Sequence, residues 1–146
     1  MSRIDAARIA VLAFAGAVLA GCENDAASHQ IDGSRDNALT LIREQRYFWE
    51  STANVALVVA RYPDCQRRYA LNPMPLGEAR ADLYRIGSAT YLLRNGNVWY
   101  AIDQRACALQ QAIPPQPDQV GVAVGAFDRQ DNKLRFLAAA PQPSGR

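Results

Sequence analysis

The chain has 146 residues, 16 basic and 14 acidic side chains, a formal charge of +2, and 49% apolar residues. This length and apolar share suit one packed domain that needs no metal to fold. The near-balanced charge provides no field to draw in nucleic acid, so no nucleic-acid partner is expected.

The first residues have the order of an export signal. Arg3 and Arg8 make the start basic, with Asp5 partly offsetting them. Residues 9–20, IAVLAFAGAVLA, follow as an unbroken run of apolar and small residues. The run is well short of the ~20 residues a bilayer-spanning helix needs. Leu19-Ala20-Gly21-Cys22 closes it with a bulky residue, two small ones and a cysteine. This tetrapeptide resembles the lipobox of bacterial lipoproteins. The resemblance implies a signal peptide over residues 1–21, cleavage before Cys22, a diacylglycerol on the Cys22 thiol and a new α-amine open to acylation. One acyl chain holds a protein to a membrane only marginally, whereas two anchor it stably. Residue 23 is Glu, not the Asp that resembles an inner-membrane retention signal, which implies the outer membrane, facing the periplasm. Without the leader the formal charge is +1, 14 basic residues against 13 acidic.

Residues 22–37 are polar and rich in Gly, Ser, Asn and Asp, and are expected to form a flexible lipidated tether. The only histidine, His29, falls inside it. No cysteine or second histidine accompanies His29, so no metal site is expected. A single domain follows over residues 38–140, with a disordered tail over 141–146. Residues 38–46 fit either a strand, through the alternating Leu39 and Leu41, or a short helix capped by Asp36 or Asn37; the strand is favoured. Residues 49–61 read as a strand, with Trp49, Ala53, Val55, Leu57 and Val59 sharing one face. VALVVA is apolar on both faces, which marks a central position. Pro63-Asp64 ends that strand, and residues 65–71 return beside it with Cys65, Tyr69 and Leu71 on one face.

Asn72-Pro73-Met74-Pro75 reads as a loop, since its prolines argue against an inner strand. Ala79, Ala81 and Leu83 alternate in the next strand, and Gly87-Ser88 turns the chain. Asn95-Gly96 between TYLLR and NVWYA predicts a hairpin with a type I′ turn, in which Tyr91, Trp99 and Tyr100 can pair across strands. Cys107 is placed in a further short strand, RACALQ. Residues 113–118, with three prolines, form an extended connection. Residues 119–127 and 132–138 make a last hairpin turned through residues 128–131. The expected fold is mainly β: a small antiparallel sandwich or a partly open barrel or rolled sheet of seven to nine strands, with at most one short N-terminal helix.

With Cys22 set aside, Cys65 and Cys107 remain. An even pair in an oxidising compartment reads as a disulfide, closing a loop for which chain entropy gives ~4 kcal/mol. Two unpaired buried thiols is the alternative. A redox pair lacks the Cys-x-x-Cys spacing that lowers a thiol pKa.

The sequence lacks the common catalytic motifs. A Ser-His-Asp triad and a cysteine hydrolase both need a firmly held histidine. No Walker loop, dinucleotide fingerprint or H-E-x-x-H run is present. No cofactor is expected. A carboxylate-based hydrolase would draw its acid and base from Glu44, Glu50, Asp64, Glu78, Asp82 and Asp103.

Pro63-Asp64-Cys65-Gln66-Arg67-Arg68-Tyr69 resembles segments of small uncharacterised proteobacterial envelope lipoproteins, and the resemblance implies no activity. Arg and Tyr are enriched at binding hot spots, so Arg61, Arg68, Tyr91 and Trp99 are the candidate partner surface. Gly87-Ser88-Ala89-Thr90-Tyr91 loosely resembles the Ser-Gly-x-x-Tyr stretch of membrane-bound inhibitors of c-type lysozyme, with its first two residues reversed. That resemblance implies an alternative role, inhibition of a cell-wall hydrolase. The leading expectation is a non-enzymatic accessory lipoprotein, tethered to the membrane through Cys22 and contacting another envelope protein.

Overall fold

A computed structural model of the protein describes residues 24–141, so the lipobox and the end of the tail lie outside the described residues. The fold is mainly β, as expected: two antiparallel sheets packed face to face. The first sheet has four strands, β1 (Asn24–Gln30), β2 (Asn37–Glu44), β3 (Thr52–Arg61) and β4 (Cys65–Pro75), in that spatial order. The second has six: β5 (Ala81–Arg85), β6 (Thr90–Asn95), β7 (Val98–Asp103), β8 (Ala108–Ala112), β9 (Val122–Gln130) and β10 (Lys133–Ala138), in the order β10-β9-β5-β6-β7-β8.

Period-two alternation decides which side chains meet between the sheets. Leu39 and Leu41 on β2, Val55, Leu57 and Val59 on β3, and Leu71 on β4 face Leu83, Leu93, Tyr100, Ile102, Phe127 and Leu134 from the second sheet in one core. The strand reading of residues 38–46 therefore holds as far as Glu44, and β3 is a central strand paired on both sides.

Contacts bridge the two sheets along both open sides of the sandwich. On one, β1 lies against β10, with the His29 ring 4.5 Å from that of Phe136. On the other, the Cys65–Cys107 disulfide bridges the sheets. Beside it the Tyr69 hydroxyl donates to the Cys107 carbonyl at 2.6 Å, and further along β4 Asn95 Nδ2 donates to the Asn72 carbonyl at 2.7 Å.

Several expectations need correction. Residues 24–37 are not a flexible tether: β1 pairs with β2 along its whole length, and residues 31–33 make a 3-10 turn. Only one side of β1 is hydrogen-bonded to a neighbour, so polar residues are tolerated; Ser28 and Thr40 bond through their hydroxyls at 2.7 Å on the outer face. Pro73 and Pro75 lie within β4, not in a loop, because β4 is an edge strand on which a missing N–H costs no ladder bond.

Trp49 is outside β3, because a turn closed by the Glu50 N–H donating to the Tyr47 carbonyl at 3.1 Å reverses the chain there. Cys107 is in a turn, not a strand. Its φ of +49° is left-handed, and Asp103 Oδ1 accepts from the N–H groups of Arg105 and Ala106 to hold that turn.

Both hairpin turns also differ from expectation, one in type and one in place. Asn95 pairs with Val98, so the central residues are Gly96 (φ +60°) and Asn97, the glycine-first pattern of a type II′ turn. The last hairpin turns through Asp131 and Asn132 and not through residues 128–131, because Asp128, Arg129 and Gln130 remain paired with Arg135, Leu134 and Lys133; both turn residues have positive φ, 51° and 61°, the pattern of type I′.

The β5–β9 register shifts between Leu83 and Tyr84, a bulge on β9 beside Gly125. A Cβ at Gly125 would run into the Leu137 carbonyl and the Phe136 ring. Gly125→Ala is therefore expected to destabilise the domain by about 1–3 kcal/mol, as overpacking does. Urea denaturation reads it, and a midpoint unchanged from wild type would show that β10 can give way.

Candidate functional site

The four residues expected to form a partner surface do not come together. Tyr91 is 3% exposed and belongs to the core. Arg61 pairs with Asp64 at 3.3 Å and donates to the Arg105 carbonyl at 3.3 Å, beside the disulfide. Arg68 pairs with Glu44 at 3.3 Å on the outer face of the first sheet. Trp99 lies on the outer face of the second sheet, packed on Tyr84 at 5.8 Å and under the Arg94 guanidinium at 5.8 Å. One surface cannot hold all four, because an inward position on β6 and the outer faces of two opposed sheets point apart.

The outer face around Trp99 carries the densest charge network. Asp82 accepts from Arg80 Nε at 2.9 Å and from Arg94 Nη2 at 2.8 Å, and Arg80 reaches Asp128 at 3.0 Å. Asp82 is nearly buried and is the first cause of the raised pKa of Arg80. Cross-strand register explains the cluster, since Asp82 sits opposite Arg94 and Arg94 opposite Trp99.

Four of the other five carboxylates considered for hydrolysis are also engaged, and Glu78 lies beside Arg80 and Arg94 at the rim of a shallow surface groove. Glu44 pairs with Arg68, Asp64 with Arg61, Asp103 holds the β7–β8 turn, and Glu50 accepts from the Tyr47 N–H at 3.3 Å. The Gly87–Tyr91 stretch forms the β5–β6 turn and runs into the core at Tyr91, so only its start faces solvent.

His29, placed in a tether by its sequence, is instead held on β1. Its ring packs on Phe136 and edge-on to Tyr91 at 6.5 Å, in a groove of about 250 Å³ that Asp32 and Arg85 also line. Burial lowers its pKa below the usual 6.5. The unfolded chain therefore binds this proton at higher pH than the folded one, so the stability contribution is complete above ~6.5 and declines as pH falls through the folded value. Between pH 7.5 and 5.5 the wild type is expected to lose more stability than His29→Leu. Parallel profiles in thermal melts would show the histidine to be solvated.

Sequence reasoning missed the largest exposed aromatic group. Tyr47, Phe48 and Trp49 at the β2–β3 turn are 46%, 76% and 68% exposed. Tyr47 and Trp49 stack at 4.8 Å with 8° between their planes, and Phe48 meets Trp49 edge-on at 4.9 Å. Three consecutive aromatics were the available signal; assigning Trp49 to the strand face concealed it.

Among the described residues no group of His, Cys, Asp and Glu side chains could hold a metal ion, and no helix is long and apolar enough to cross a membrane. Comparison with protein families, curated proteins and solved structures finds no match to this chain.

Proposed function

We propose that this protein is an envelope lipoprotein: a small disulfide-bridged β module, anchored through Cys22 to the outer membrane and facing the periplasm, which works by holding a partner rather than by turning over a substrate. The observation that carries this reading is Leu19-Ala20-Gly21-Cys22 at the end of an apolar run. The Cys65–Cys107 bridge supports it, because such bridges persist in oxidising compartments. The engagement of Asp82, Asp103, Glu44 and Asp64 in structural pairs supports the non-enzymatic part.

Metabolic labelling with palmitate and membrane fractionation test the anchor. The wild type is expected to label and to float with outer-membrane vesicles, whereas Cys22→Ser does neither. Equal labelling of the two proteins would overturn the assignment. Site-specific crosslinking in cells from exposed positions around Trp99 is expected to trap an envelope protein reproducibly. Absence of any adduct from every exposed face would remove the partner-holding role.

A further inference from the structure

We propose that the Tyr47-Phe48-Trp49 tip is a bilayer-docking surface, seating its rings at the boundary between lipid headgroups and acyl chains. The proposal rests on the reading of Cys22 as a lipid anchor, and it commits to a membrane as the occupant.

The first support is position. Asn24, where β1 begins, is the register partner of Glu44, where β2 ends. Gln45 follows Glu44 directly and the aromatic turn follows Gln45. The chain that arrives from Cys22 therefore enters the domain at the end of the sheet from which the tip projects. Only Glu23 separates Cys22 from Asn24, and each of the two residue steps spans at most ~3.5 Å, so the backbone of a lipidated Cys22 lies within ~7 Å of the strand. A flexible tether of 15 residues would have let the domain drift; β1 removes it, and the sheet end beside Asn24 is brought to the lipid surface.

The second support is chemistry. Trp and Tyr favour the membrane–water interface, where an apolar ring and a polar tip are both accommodated. Large apolar rings grouped on an exposed surface need a reason, and here three stand together in a turn held by hydrogen bonds at both of its ends. The Glu50 N–H donates to the Tyr47 carbonyl at 3.1 Å, the Tyr47 N–H to Glu50 Oε2 at 3.3 Å, and Gln45 Nε2 to the Glu50 carbonyl at 3.2 Å. The rings are thus presented on a braced loop. Their own affinity for lipid need only be weak, because the Cys22 anchor converts docking into an intramolecular step.

Trp49 is the reporter. Full-length protein extracted from membranes, carrying Trp99→Phe so that Trp49 is the only tryptophan, is reconstituted into phosphatidylethanolamine–phosphatidylglycerol vesicles with brominated acyl chains. Trp49 emission is expected to shift to shorter wavelength and to lose most of its intensity relative to unbrominated vesicles. The same comparison on protein that keeps Trp99 guards against a folding defect: quenching is expected there and is expected to vanish in Trp49→Ser. Unquenched Trp49 in both settings overturns the proposal. So does quenching that disappears on adding N-acetylglucosamine oligomers, which would mark the rings as a sugar platform. Intact mass of the same sample reports separately on Cys22. If that cysteine is unmodified, the anchor reading fails, while quenching of Trp49 by the vesicles still decides the tip.

Discussion

Replacing Arg43 by alanine is expected to lower the stability of the domain by about 3–5 kcal/mol, the cost of removing one partner from a buried ion pair. Arg43 is 1% exposed, although it continues the Leu39-Leu41 face into the core. Its guanidinium lies 4.0 Å from Asp25, its register partner on β1, and Nη2 donates to the Leu76 carbonyl at 3.2 Å. Arg129 donates to the same carbonyl at 3.1 Å. Truncation would leave the largely buried Asp25 carboxylate without its cation and would remove the donor that Arg43 offers to the Pro75 and Leu76 carbonyls, the second of which keeps Arg129. Urea denaturation checks this, with the midpoint falling and the slope unchanged. The double variant Arg43→Met with Asp25→Ala is expected to recover much of the loss, since replacing both members of a buried pair is often nearly neutral. A loss below ~1 kcal/mol in Arg43→Ala would show the pair to be solvated like a surface ion pair.

Opening the Cys65–Cys107 bridge is the second large effect. The bridge joins β4 to the β7–β8 turn, hence one sheet to the other, on the side opposite the β1–β10 contact. Its loss frees the unfolded chain between residues 65 and 107, for which removal of a native disulfide from a small domain typically costs 2–5 kcal/mol. Cys65→Ser with Cys107→Ser, and wild type treated with dithiothreitol, are expected to show the same lowered urea midpoint. Two free thiols by mass in the unreduced protein would contradict the bridge.

The contrast between these two features shows what a sequence can and cannot convey. The bridge was legible because two cysteines left over in a chain that reads as exported have few other uses. The core strands were legible because Leu39, Leu41, Val55, Leu57 and Val59 keep strict alternation. Arg43 obeys the same alternation, but a charge at an inward position is interpretable only once Asp25 is known to lie opposite it. Asp25 was assigned to a tether because β1 contributes only one apolar residue, Ala27, to its inward row; its place comes from backbone pairing with β2, which leaves no compositional trace. The same holds for Pro73 and Pro75, permissible only because β4 turned out to be an edge. The Trp99 cluster required cross-strand register, and the aromatic tip required knowing that the chain reverses at Tyr47 before β3 begins.

The account of function turns on Cys22. Because β1 starts at Asn24, a lipid on Cys22 would hold the folded domain against the membrane and not at the end of a leash, and the aromatic tip gains its meaning from that placement. Intact mass spectrometry of protein extracted from membranes tests this most directly. The predicted species is residues 22–146 with a diacylglyceryl group on Cys22 and one internal disulfide. A chain that retains residues 1–21, or one that begins elsewhere with Cys22 unmodified or absent, would contradict the account.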